Sequence, residues 1–87
     1  MNPDDCLNMF SEKFPTFKIW VEDDMVFVEG ESEALDLIGK LFIAQSKFEK
    51  DCGYQLAPTG SGMKFFNTAS THGLYIHRLP CLDQGKN

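Results

Sequence analysis

Apolar residues follow two rhythms along this chain, and the change between them near Gly30 sets the expected elements. From Thr16 to Glu22 the pattern alternates, with Phe17, Ile19 and Val21 on one side and Thr16, Lys18, Trp20 and Glu22 on the other. Met25 to Glu29 is a second β run. Asp23-Asp24 between the two predicts a hairpin with a two-residue acidic turn, although Asp-Asp suits such a turn less well than Asn-Gly. Between Gly30 and Gly53 the period becomes helical. Leu35, Ile38, Phe42 and Gln45 form one stripe and Leu37, Leu41, Ala44 and Phe48 its neighbour, which predicts a wide apolar face for a sheet to cover. Ser32 is the expected N-cap of this helix and Gly53 its left-handed C′ residue. Glu33 and Asp36 at one end, and Lys47 and Lys50 at the other, suit the helix dipole.

Weaker signals flank this centre. Asn2-Pro3-Asp4-Asp5 reads as a capped helix start, and Leu7, Phe10 and Phe14 continue it at helical spacing until Pro15. After the long helix, Tyr54 to Ala57 is a short strand closed by Pro58, and Thr59-Gly60-Ser61-Gly62 is a turn. Met63 to Asn67 is a further short strand, Thr68 to Thr71 is unpatterned, and His72 to Leu79 is a last strand stopped by Pro80. The expected fold is α+β, in the order ββαββ(β): an antiparallel sheet of four to five strands, one long helix on one face and a short N-terminal helix. Residues 1–80 form the single domain and 81–87 a frayed tail. The uncovered sheet face would carry Trp20, Phe27 and one of Phe65 or Phe66, either roofed by the N-terminal helix or used for association.

Composition narrows the class. At 87 residues with 43% hydrophobic and 24% charged residues, the chain has enough apolar surface for one small core. No run approaches the length of a membrane span, and the acidic start, MNPDDCLNMF, is unlike a signal peptide. An odd number of cysteines (Cys6, Cys52, Cys81) then suggests reduced thiols in a cytoplasmic protein rather than a disulfide. Charge is unevenly divided. Residues 1–36 hold ten acids against Lys13 and Lys18, a net of −8, while residues 37–87 hold three acids against six basic residues, a net of +3. Such a division disfavours nucleic acid as a partner and favours a basic protein surface, with a solvated, solubilising face as the plainer alternative.

The candidate constellations for chemistry are weak. His72, His77 and Cys81 offer three ligands without a paired spacing, and two histidines five apart on one strand would face opposite ways. Cys52 with either histidine lacks a nucleophile-elbow context, and a helix C-terminus disfavours its thiolate. Thr59 to Lys64 lacks the spacing and the following helix of a phosphate loop. The acids from Glu22 to Glu31 lack the alternation of an EF-hand, and no basic–aromatic stripe suits nucleic acid. No catalytic residue, metal or cofactor is therefore assigned, and a non-enzymatic binding protein is expected.

Val28-Glu29-Gly30, the leucine-rich ESEALDLIGKLF after it, Tyr54-Gln55-Leu56-Ala57-Pro58 and Leu74-Tyr75-Ile76-His77-Arg78-Leu79-Pro80 form a recognisable succession. Over about residues 26–80 this pattern of elements resembles the predicted immunity proteins of bacterial polymorphic-toxin systems, in particular their thirty-second numbered class. The chain departs from that class at Tyr54-Gln55-Leu56, where the family strand carries a histidine. The resemblance implies a cytoplasmic protein that binds and silences a cognate toxin without chemistry of its own. Residue chemistry then points to the acidic hairpin, with Glu22, Asp23, Asp24, Glu29 and Glu31 entering a basic cleft and Trp20 as aromatic anchor. A phage-encoded inhibitor of a nucleic-acid-targeting defence complex, of the anti-CRISPR kind, would look alike. A self-associating module, such as a homodimer, and a small Cys52-dependent enzyme are the other classes to separate.

Overall fold

Asn2 caps the first helix, α1 (Pro3–Met9), through a reciprocal capping box: its side chain accepts from the Asp5 N–H, and the Asp5 carboxylate accepts from the Asn2 N–H. The computed structural model describes residues 2–81. Its remaining elements are β1 (Phe17–Glu22), β2 (Met25–Gly30), α2 (Ser32–Lys47), β3 (Gly53–Leu56), a single 3-10 turn at Met63–Phe65 and β4 (Leu74–His77). The expected α+β class and antiparallel pairing are present. The hairpin register is also as expected, from Phe17 opposite Gly30 to Glu22 opposite Met25.

The single sheet of four to five strands is not what forms. Among the described residues β1 pairs with β2 and β3 with β4, in two separate two-stranded antiparallel sheets. Two local choices separate them. Phe65 and Phe66 are both buried, which adjacent residues of a strand cannot achieve on one face, so Met63–Phe65 folds as a 3-10 turn and Phe66 is extended. Beyond it, irregular backbone and the Ser70 side chain take the place of a regular ladder along the outer edge of β1. The Asn67 N–H donates to the Phe17 carbonyl at 2.7 Å, the Ile19 N–H donates to Ser70 Oγ at 3.1 Å, and the Thr71 N–H donates to the Ile19 carbonyl at 3.0 Å. Only a lone bridge between Phe17 and Phe66 is strand-like. A serine hydroxyl that bonds the backbone, as Ser70 does at Phe17 and Ile19, commonly competes with a sheet ladder.

Helix α2 is shorter than its pattern suggests. Glu31 takes the N-cap position, without a side-chain hydrogen bond, and Ser32 is already helical. The helix ends at Lys47 as Phe48 turns extended, so Gly53 opens β3 rather than capping α2. Buried Gln45 brackets the exit, its amide donating to the Asp51 carbonyl at 3.1 Å. Leu37, Leu41 and Ala44 lie in the core with Phe17, Ile19, Leu56, Phe65 and Phe66, whereas Leu35 and Phe42 on the other stripe remain 46% and 47% exposed. Ile38 and Gln45 of that stripe are buried, so only Leu35 and Phe42 of the eight predicted face positions are uncovered. Gly30 permits the close approach of β2 to α2, since a Cβ there would lie 2.8 Å from that of Ala34. No described helix is long and apolar enough to cross a membrane.

Candidate functional site

The β1–β2 hairpin is the least enclosed part of the fold. Its inner face is anchored at the base by Phe17 and Ile19, which are 1% and 2% exposed. Toward the tip the same face runs out of cover, leaving Val28, Val21 and Val26 exposed, the last at 68%. Strand β2 contributes no fully buried residue and, among the described residues, pairs only with β1. Its outer edge thus offers backbone N–H and C=O groups flanked by apolar side chains, the kind of edge that another chain can extend.

The tip is built by Asp23 and Asp24, which both adopt left-handed backbone angles, φ 53° and 62°. Two consecutive left-handed residues match the twist of a two-residue hairpin, which explains how an acidic pair closes it. The outer face joins Lys18, Trp20 and Glu22 on β1 to Glu29, Phe27 and Met25 opposite them. Trp20 stacks on Phe27 with ring centroids 4.9 Å apart and an 11° interplanar angle. The Lys18 ammonium sits 4.3 Å from the indole centroid, and the indole N–H donates to the Glu22 carboxylate at 3.1 Å. The half-buried indole is held by stacking, cation–π and hydrogen-bond contacts on this face. Helix α1 does not roof it: α1 packs along α2 instead.

Trp20, Glu22, Asp23, Asp24 and Glu29 therefore share one protruding element, with Glu29 about 14 Å from the turn at ordinary strand rise. Glu31 stands apart at the start of α2. Sequence reading did not identify Met25, Val26 and Val28 as part of this surface, because alternation alone does not reveal how far the hairpin extends beyond the core. No protein-family model, curated protein or solved structure matches the chain. Functional weight accordingly rests on the geometry.

The cysteine expectation is corrected. Cys52, just before β3, is disulfide-bonded to Cys81, with Cα atoms 5.6 Å apart. That bond also ties Cys81, the first residue of the expected tail, to Cys52; the rest of the tail, residues 82–87, lies outside the described part. Cys52 in this state is not a nucleophile. The trio His72, His77 and Cys81 is not assembled either. His72 precedes β4 and its ring shares a hydrogen bond with the Thr71 hydroxyl at 2.7 Å. Thr59–Gly62 lies in a turn leading to the 3-10 segment, where Gly62 has φ 74° and Leu56 occupies the space a Cβ would need. A recess of about 600 Å³ lies between the start of α1 and the last turns of α2, lined in part by Asp5, Lys40, Lys47 and Phe48, and includes no hairpin residue.

Proposed function

We propose that this chain is a non-enzymatic, cytoplasmic binding protein that neutralises a partner protein by covering a basic functional surface with its β1–β2 hairpin. The observation that carries the reading is the exposed β2 edge: Met25, Val26 and Val28 are uncovered beside an acidic tip. Apolar side chains and open backbone would supply contact area, and the carboxylates would steer association with a basic cleft. The pattern-level resemblance to immunity proteins makes a toxin the first partner to seek. A phage inhibitor of a nucleic-acid-targeting defence complex would use the same surface, and the neighbouring genes distinguish the two. Direct nucleic-acid binding is disfavoured by the charge of the hairpin.

The test begins with affinity capture from the native host and continues with the purified pair. Occlusion by the hairpin predicts a one-to-one complex with a basic protein whose activity falls on binding. Affinity should drop about tenfold or more from low to high salt, and further with Asp23→Lys plus Asp24→Lys. A complex insensitive to salt and to charge reversal would remove the hairpin from the interface. A purified chain that sediments as a dimer, and loses that state with Val26→Lys, would instead support the self-associating alternative, for which the same open edge is the physical basis.

A further inference from the structure

Beyond the hairpin, three metal-ligating side chains converge at the opposite sheet. Cys52 Sγ, Cys81 Sγ and a ring nitrogen of His77 all lie within 4.8 Å of one another. Their placement follows from the β3–β4 ladder. His77 pairs in register with Gly53, the residue after Cys52, and the chain returns through Pro80 to bring Cys81 onto the same spot. Arg78 holds the surrounding backbone. Its N–H donates to the Cys52 carbonyl at 2.8 Å, while its guanidinium donates to the Phe48 carbonyl at 3.1 Å and to the Pro80 carbonyl at 3.3 Å. The backbone beside both sulfurs is thus organised by contacts that do not depend on the disulfide itself.

We propose that, when Cys52 and Cys81 are reduced, these two thiolates and the His77 imidazole form a three-ligand site for a borderline-soft divalent cation, best exemplified by Zn²⁺. Two sulfurs and one nitrogen on a pinned frame match zinc's preferred donors, and exposed His77 leaves a fourth position open to solvent. The site and the disulfide are mutually exclusive. A dithiol reductant opens the bond by exchange: it becomes the cyclic disulfide, and its two hydrogens pass to Cys52 Sγ and Cys81 Sγ. Cation binding then displaces those two protons. Two thiolates neutralise the divalent charge, so Arg78 faces a locally neutral centre. The proposal is independent of the hairpin's role, and its failure would leave that role untouched.

Co²⁺ is the probe, because thiolate coordination gives it an intense ultraviolet charge-transfer absorption that carboxylates do not produce. The full chain, reduced with a phosphine and kept anaerobic, should take up one equivalent of Co²⁺ with that absorption, and Zn²⁺ should bleach it. The oxidised chain should show none. Cys81→Ser and His77→Ala, both outside the core, should each weaken binding roughly a hundredfold or more, since loss of a mere outer-shell partner already costs up to that much. Circular dichroism of each variant verifies that it is folded. Absence of the band in the reduced chain would overturn the site. So would a band that survives both substitutions at full strength, because it would then belong to Cys6 or to other groups.

Discussion

Asp23 and Asp24 sit where glycine or asparagine would be more comfortable, because left-handed backbone costs a side-chain-bearing residue about 1 kcal/mol or more. Replacing them as Asp23→Asn plus Asp24→Gly should raise the chemical-denaturation stability by about 1 kcal/mol. The same change should weaken capture of a basic partner if the hairpin acts as proposed, so one variant separates structural from functional demand. Two other residues tie stability to pH. Burial pushes the Cys6 thiol up, with the Asp5 charge adding to it. Burial likewise pushes the Tyr54 phenol up, reinforced by its 3.1 Å hydrogen bond to Asp4. Both groups keep their protons longer in the folded state than in the unfolded one. Their contribution is therefore complete below the ordinary thiol and phenol values, and the folded state loses it as pH rises through them. Denaturation curves should be flat in this respect at neutral pH and decline from about pH 9 upward. Tyr54→Phe should flatten the part of that decline above about pH 10.

At the scale of elements, α2 offers the sharpest contrast. Leu41 and Leu35 belong to neighbouring stripes of one apolar pattern, yet Leu41 is 0% and Leu35 46% exposed. Leu41→Ala should cost about 3 kcal/mol through lost burial and the cavity left behind, and Leu35→Ala less than about 1 kcal/mol. Equal losses by urea denaturation would mean that Leu35 is buried in solution, for instance against a second copy. The periodicities of β1, β2 and α2 were legible because each element carries its own repeat of burial. The Met63–Asn67 run was not. Its two phenylalanines look like strand material, and only the need to bury both rings, against Phe14 and Phe17, selects a 3-10 turn. Nor could local pattern say that Ser70 and Asn67 would occupy the edge of β1, since those bonds join residues about fifty apart.

For the whole molecule, the Cys52–Cys81 link spans 29 residues and encloses β3, the 3-10 turn and β4. Its removal frees that entire region in the unfolded chain. Loop-closure entropy puts the loss at about 3–4 kcal/mol, a large share of what a domain this small has to spare. Thermal melts with and without reductant should therefore separate clearly, and Cys81→Ser should melt like the reduced chain. Added Zn²⁺ should recover part of the difference in the reduced wild-type chain and none in Cys81→Ser. The hairpin, tied to the rest through its base and α2, should bind its partner in either redox state.

By itself the sequence determined the elements whose signals are local: the capped start at Asn2, the two-residue acidic turn, the alternating strands and the long amphipathic helix. It also located the acids and the tryptophan of the candidate surface, because charge and aromatic content are written directly in the chain. Tertiary structure alone decided how many sheets form, that Leu35 and Phe42 of the α2 face stay uncovered, that β2 has an open edge among the described residues, and that Cys52, His77 and Cys81 meet. The reason is the range of the forces involved. Propensity, capping and turn geometry act within a few residues, whereas burial and pairing depend on which distant segment arrives to fill a face or an edge.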